Sequence, residues 1–258
     1  MMMKKIMGAL TLFLAAQGPA CAGPDARSIL AACDQVRSPN ASFSLKVKLV
    51  EYRNGKQVDA SALVVYAKPD LSSGQFDNLV MFLSPERDAG KLLLKNDNDL
   101  WLYDPANKAS IRISPKERLL GQASNGDVVT VNWSKDYESS MVGEESLEDG
   151  DRQPSKAHHL SLTAKAAQIT YARIELWVEV DSNRPLKAQF YSESNRLLKT
   201  AYYRRFQPQL GAVRPTETVI IDGLDPKWVT VMRYSDYVTR TIPDTWLQRD
   251  YLPRFKAD

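Results

Sequence analysis

The chain has 258 residues, 43% of them hydrophobic and 25% charged. That composition fits an ordinary globular protein and excludes both a multi-pass membrane protein and a highly charged disordered tail. Thirty-four Lys and Arg against 31 Asp and Glu give a formal net charge of +3, a balance that makes no electrostatic case for nucleic acid. Two His and two Cys leave little material for a metal site, whereas 14 Pro, 12 Gly, 11 Tyr, 7 Phe and 5 Trp favour strands and turns over a helical bundle.

Met1 to Lys5 carry a short positive region, and Ile6 to Ala16 form an apolar run too short to span a bilayer. Gly18 and Pro19 break that run, and Ala20-Cys21-Ala22 offers small residues where a signal peptidase cuts. The pattern predicts an export signal over 1–22, delivery to the periplasm, and a mature chain over 23–258. A second reading makes Cys21 the lipidated first residue of a lipoprotein, although Gly18-Pro19-Ala20 lacks the usual aliphatic residue three places before it. After cleavage behind Ala22 only Cys33 remains, so the mature chain can form no intrachain disulfide.

The first predicted element is a helix over Ala26 to Val36, with Ile29, Leu30, Cys33 and Val36 on one face and Cys33 as a buried small hydrophobe. From Phe43 to Leu49 apolar and polar residues alternate with the period of a strand, and Asn54-Gly55 marks a hairpin to a second strand over Gln57 to Ala67. Further strands are predicted at Gln75–Leu83, Lys91–Lys95, Asp99–Tyr103 and Ala109–Ile113. Ser114-Pro115-Lys116-Glu117 has the form of a capping box with Pro at the first helical position, which predicts a short helix carrying Leu119 and Leu120 and ended by Gly121. No clean period emerges from Gln122 to Tyr137, and the acidic stretch Glu144 to Lys156 reads as a surface loop. Strands follow at His158–Ala164, Tyr171–Val180, Leu186–Ser192, Leu197–Phe206, Val213–Asp222 and Trp228–Tyr237. A last short helix is predicted from Pro243-Asp244, carrying Trp246, Leu247, Tyr251 and Leu252.

About 11–13 antiparallel strands, each with one apolar face, must curl into a barrel or pack as a sandwich, and an inserted helix can plug a barrel that does not close. No Pro/Gly-rich linker divides the mature chain, so one domain is expected. Catalytic signatures are missing: no H-x-x-x-H, C-x-x-C or G-x-S-x-G occurs. Gly121 to Asp127 lacks the Lys-Ser/Thr ending of a phosphate loop, and the neighbours His158 and His159 point to opposite faces of a strand. The expectation is a protein that is not an enzyme and uses no cofactor or metal.

Several segments together resemble a known family. They are Trp101-Leu-Tyr-Asp-Pro105, Ile111-Arg-Ile113, Leu119-Leu-Gly-Gln-Ala-Ser-Asn-Gly-Asp127 and Asp136-Tyr137, followed by Ile174-Glu-Leu-Trp-Val178, Pro185-Leu-Lys-Ala-Gln-Phe-Tyr191, Leu197-Leu-Lys-Thr200 and Arg214-Pro-Thr216. In order and spacing the chain, from Ala26 to its end, resembles the LolA-like outer-membrane lipoprotein-sorting proteins. The resemblance implies a mostly β fold: a single unclosed antiparallel β-barrel with a few short helices as plug or lid over an apolar concave face. It also implies a monomeric periplasmic carrier that takes the acyl chains of lipoproteins or related lipids from an inner-membrane exporter towards the outer membrane. The alternatives are an envelope lipid sensor acting through a membrane protein partner and a hydrolase of envelope lipids.

The candidate cavity lining is the apolar face of the clearest strands: Phe43, Leu45, Val47 and Leu49, with Ile174, Leu176 and Val178. Leu119 and Leu120 are the lid candidates. The competing reading makes all of them a closed, dry core. Met81, Met141 and Met232 are read as an adaptable surface or as gap fillers, and Trp101, Tyr103 and Trp177 as an outer aromatic belt facing a membrane or partner.

Overall fold

A single non-local pairing organises the computed structural model, which describes residues 25–97 and 99–257; the predicted export signal and Cys21 lie outside the described residues. After helix α1 (Ala26–Arg37), six strands run as a meander: β1 (Phe43–Arg53), β2 (Lys56–Pro69), β3 (Phe76–Ser84), β4 (Leu92–Asn96), β5 (Asp99–Asp104) and β6 (Ala109–Arg112). The chain then crosses through the small hairpin β7 (Arg118–Leu120) and β8 (Ala123–Ser124) and the one-turn helix α2 (Trp133–Asp136). A second meander follows: β9 (Tyr137–Glu148), β10 (Pro154–Ala164), β11 (Arg173–Glu179), β12 (Pro185–Tyr191), β13 (Leu197–Gln209), β14 (Ala212–Asp222) and β15 (Trp228–Thr239).

β15 pairs with β1, with Val47 opposite Tyr234 and Leu49 opposite Met232. The result is one antiparallel sheet of 13 strands in the order β6-β5-β4-β3-β2-β1-β15-β14-β13-β12-β11-β10-β9, curled but not closed. The architecture expected from the resemblance is therefore the observed one. The β1–β2 hairpin forms where Asn54-Gly55 predicts it, both residues at positive φ (50° and 76°), which matches the turn twist to the strands.

Alternation of side chains across the sheet divides the core into two layers. The concave layer gathers Phe43, Leu45, Val47, Leu63, Val65, Leu160, Ile174 and Leu176 against Ile29, Leu30 and Cys33 of α1. Burial pushes the Cys33 thiol well above the usual thiol range, as befits a small core hydrophobe. On the convex side Tyr66, Leu79, Leu92, Leu94 and Tyr103 are covered by Ile242, Trp246, Leu247 and Leu252. Trp246, Leu247 and Leu252 come from two 3₁₀ turns, 244–247 and 249–254, where the sequence predicts a short helix, and Ile242 immediately precedes them.

Three expectations are corrected. Residues 114–121 are not a helix. Ser114 Oγ does accept the Lys116 N–H (3.1 Å), but the Glu117 and Pro115 carbonyls accept the N–H groups of Asn125 (2.9 Å) and Gly126 (3.0 Å), so hairpin pairing outcompetes the local helix start. Glu144 to Lys156 is not a loop either: only 149–153 turn, and the rest is β9 and β10. The aromatic belt is covered, since Tyr103 (6% exposed) lies under Trp246 and its neighbours and Trp177 (7%) packs with Ala157 and Leu186.

Helix α1 is tied down at both ends. Asp25 Oδ1 accepts the Ser28 N–H at 2.8 Å, and the Arg214 guanidinium donates to the carbonyls of Gln35 (2.6 Å) and Val36 (2.9 Å). Within α1 the buried Asp34 carboxylate accepts from Trp133 N (3.0 Å), Ser134 N (2.8 Å) and the Arg37 guanidinium (2.9 Å), so it holds α2 against α1. Replacing Asp34 by Ala strands two N–H groups and a guanidinium. We expect urea melts of Asp34→Ala to show a loss of about 2–4 kcal/mol, with the m-value unchanged.

Candidate functional site

Because β6 and β9 are opposite edges of the open sheet, the segment between them has to cross the sheet, and it does so over the concave face. This strap, residues 113–136, buries Ala123, Val128, Val129 and Trp133 in the concave core. It is fastened by polar contacts at intervals. Asn78 and Thr130 exchange two hydrogen bonds (2.8 and 2.9 Å), as do Gln75 and Asn132 (2.8 and 2.9 Å). At the other end the Gln122 N–H donates to Thr230 Oγ1 at 2.8 Å. Gly121 is required there, for at its φ of 53° a Cβ would lie 2.3 Å from Thr230 Oγ1.

The strap and α1 do not fill the space beneath them. A cavity of ≈ 210 Å³ remains, with an apolar wall that includes Trp133, Phe190, Ala201, Ile220 and Met232. A smaller chamber of ≈ 100 Å³ lies beside it, lined by Phe43, Leu45, Val47 and Val65; Arg37, Val129, Tyr203, Thr218 and Tyr234 are common to both. The apolar part of the larger cavity's wall suits an apolar guest, while Lys95, Asp97, Asp99 and Asp136 line another part of the same cavity.

One charged pair stands in the cavity wall. Lys199, 3% exposed on β13, donates to the Gln122 carbonyl (2.9 Å) and to the Asp127 carboxylate of the strap. The other oxygen of Asp127 accepts the Tyr171 hydroxyl (2.7 Å), and the oxygen that meets Lys199 also accepts the Ser124 N–H (2.7 Å). Burial pulls the Lys199 pKa below its ordinary value, with the Asp127 charge acting in the opposite sense. Burial also raises the phenols of Tyr137, Tyr171 and Tyr203, and pushes Tyr234 up to about 12. These hydroxyls stay neutral at physiological pH, so the part of the wall formed by β12 to β15 is, beside Lys199, uncharged aromatic and aliphatic surface, whereas Arg37, Lys95, Asp97, Asp99, Asp127 and Asp136 bring charge to other parts of the lining.

Among the sequence-predicted residues, Phe43, Leu45 and Val47 line the smaller chamber. Leu49, Ile174, Leu176 and Val178 are fully buried in the same concave cluster but line neither chamber. Leu119 and Leu120 sit on β7 in the strap, half-buried against that cluster. Met232 lines the main cavity, Met81 packs on the convex cluster and Met141 is exposed on β9, so the three methionines form no common surface. His158 and His159 do face opposite ways: His158 is buried, while His159 stacks on Trp177 (4.3 Å) between Glu175 (2.8 Å) and Glu145 (3.1 Å). Sequence reading missed Trp133, Phe190, Ala201, Ile220 and the Lys199–Asp127 pair. The available signal was Lys199 itself, a cation in the inward register of Ala201 and Tyr203.

Comparison with known proteins fits this geometry. A family model described only as an uncharacterized protein matches residues 74–254, and the chain is a member of that family. A LolA superfamily protein from Nitrosomonas europaea is 34% identical, with 89% of this chain and 100% of that one covered and a TM-score of 0.79. The chain belongs to the LolA superfamily. A DUF1329 family protein from Desulfovibrio piger shares the fold at 23% identity (TM-score 0.74, covering 88% of this chain and 97% of that one). So does a domain assigned to outer membrane lipoprotein sorting from Vibrio parahaemolyticus, at 17% identity (TM-score 0.74, 89% and 98% covered). No curated protein matches the sequence. This LolA superfamily member thus has a carrier-like fold with a strap-covered apolar cavity.

The buried pair can be tested by a double-mutant cycle. Lys199→Met alone leaves the Asp127 charge buried and should cost about 3–5 kcal/mol in chemical denaturation. Adding Asp127→Asn keeps an acceptor for Tyr171 or Ser124 and should restore a large part of that loss, giving a coupling of about 1–3 kcal/mol.

Proposed function

We propose that this LolA superfamily protein is a periplasmic carrier that holds the acyl chains of lipoproteins or related lipids and passes them from an inner-membrane exporter towards the outer membrane. The observation that carries the reading is the apolar cavity between the concave sheet, α1 and the strap. The export signal predicted over 1–22 supports the periplasm. The Vibrio domain with the same fold is assigned to lipoprotein sorting, the cargo class carried over here.

The energetics suffice without any ionic contact. An acyl chain of about sixteen carbons gains roughly 12 kcal/mol gross at ~0.8 kcal/mol per buried CH₂. Ordering the chain and the protein reduces that sum, which still leaves room for useful affinity. The cavity of ≈ 210 Å³ is smaller than the roughly 300–1,000 Å³ typical of ligand pockets. Admitting a whole chain requires the strap to lift or the two chambers to merge. A carrier must also release its cargo, and a cover fastened by a few hydrogen bonds is suited to that.

A second reading, a lipid sensor acting through a membrane protein, draws on β9. This 12-residue strand ends the sheet and exposes Met141 and Val142, an edge to which a partner strand can add.

Native mass spectrometry of the protein purified from periplasm without detergent should show a bound acyl lipid or acylated peptide. A fluorescent fatty acyl probe should bind saturably, and Ala201→Phe, which fills the cavity, should weaken that binding about tenfold or more while thermal melts stay close to wild type. An empty protein that takes up no probe would sink the carrier reading.

A further inference from the structure

A second pocket, of ≈ 470 Å³, adjoins the apolar cavity and shares Thr170, Tyr171 and Lys199 with it. Its character is different. The charged side chains lining it are the cations Lys116, Arg118 and Lys199 and the single anion Glu193, and Ser124, Ser192 and Ser194 add hydroxyls.

Gln122 is the most telling member of this lining. It is 5% exposed, its N–H donates to Thr230 Oγ1 and its carbonyl accepts Lys199, yet its side-chain Nε2 is buried with no hydrogen-bond partner. Buried amide donors are almost always paired, so this one is waiting for an acceptor. The cations nearby are only loosely engaged. Arg118 reaches the Asp222 carboxylate at 4.0 Å, the limit of an ion pair, and lies over the Trp228 ring at 4.3 Å. Lys116 meets Glu193 at 2.8 Å, but both are exposed, and surface pairs of this kind exchange partners at little cost.

We infer that this pocket takes the anionic head group, a phosphate or carboxylate, of the amphiphile whose acyl chain fills the apolar cavity. The inference rests on the carrier reading and narrows its cargo to anionic lipids or acylated anions. Arg118 supplies a planar fork of donors matched to an oxyanion, Gln122 supplies the unpaired amide, and Lys116 closes the rim. Tyr171 and Lys199 then form the wall between head and tail. A cationic or zwitterionic head group would place positive charge against this surplus of cations.

The test uses the mature chain and two short-chain lipids with identical acyl groups, one with a phosphatidylglycerol and one with a phosphatidylcholine head, titrated calorimetrically at low salt below their micellar concentrations. Phosphatidylglycerol should bind about tenfold tighter, because the phosphate is common to both lipids and only choline sets a positive charge beside Arg118 and Lys116. Arg118→Gln and, separately, Gln122→Leu should each weaken phosphatidylglycerol binding and shrink that preference several-fold. Arg118 is 58% exposed at its side chain, so its variant will fold even if the Gln122 variant does not. Equal affinities for the two lipids in the wild-type protein would overturn the head-group site and leave the carrier reading standing. Binding of neither lipid would overturn both. Inorganic phosphate alone at millimolar concentration should give no saturable signal; binding as tight as the anionic lipid would make the pocket a free-anion site and overturn the lipid assignment.

Discussion

Pairing between β1 and β15 is the constraint on which the rest of the molecule depends. Every other junction in the large sheet joins strands that follow one another in the chain, whereas this one brings Phe43 opposite Thr239. Fusing the two meanders at their first and last strands leaves β6 and β9 as the outer edges. The connection between those edges then has to cross the sheet, and it takes the concave face, the convex one being covered in part by the segment around Trp246. Strap, cavity and open sheet are therefore three consequences of one pairing, and the long loop it closes makes it the entropically expensive step of the fold.

A cover imposed by topology is not the same as a cover optimised for packing. Asn78, Gln75 and Thr230 hold the strap by hydrogen bonds to its backbone, Asp34 holds α2, and Lys199 meets the strap as a buried ion pair. Such a pair adds little net stability compared with an apolar replacement, although breaking it is costly, so its effect is to fix where Asp127 sits on the sheet. Between these attachment points the strap bridges the concavity without filling it. On one side of Tyr171 and Lys199 the space left has a largely aromatic and aliphatic wall from β12 to β15, and on the other it meets Lys116, Arg118, Glu193 and an unpaired amide.

What the sequence revealed depended on how one-sided each element is. β1 and β11 announce themselves by alternation because one face is fully buried and apolar while the other carries charged residues, Lys46 and Lys48 on β1 and Arg173, Glu175 and Glu179 on β11. β9 was hidden because it is an edge strand exposed along most of its length, so no apolar period marks Glu144 to Glu148. The strap was misread for a different reason: Ser114 to Glu117 is a sound local helix start, overridden by pairing with Asn125 and Gly126 that only the hairpin reveals. Period-2 alternation also says which residues share a face but not what covers it. Phe43, Leu45 and Val47 thus share a face by their spacing, while the cover over Trp101 and Tyr103 by residues near 246 leaves no mark in that period. The cavity wall draws on β12 to β15 and the strap together, a convergence set by tertiary packing that no single segment records.

The two halves of the sheet are also unequally buried, and this bears on how the cavity could enlarge. β2 to β5 carry apolar residues on both faces, sealed on the convex side by the segment that contains Ile242, Trp246, Leu247 and Leu252. The strands that wall the cavity have no comparable backing: on the outer faces of β13 and β14, Thr200, Tyr202, Val219 and Ile221 are only half-buried. A strand packed on one side resists bending less than one clamped on both, because fewer contacts must shift together. The covered half acts as a frame that keeps β1 in place for its pairing with β15. The half without that backing walls the cavity and carries the strap's attachments at Lys199 and Thr230.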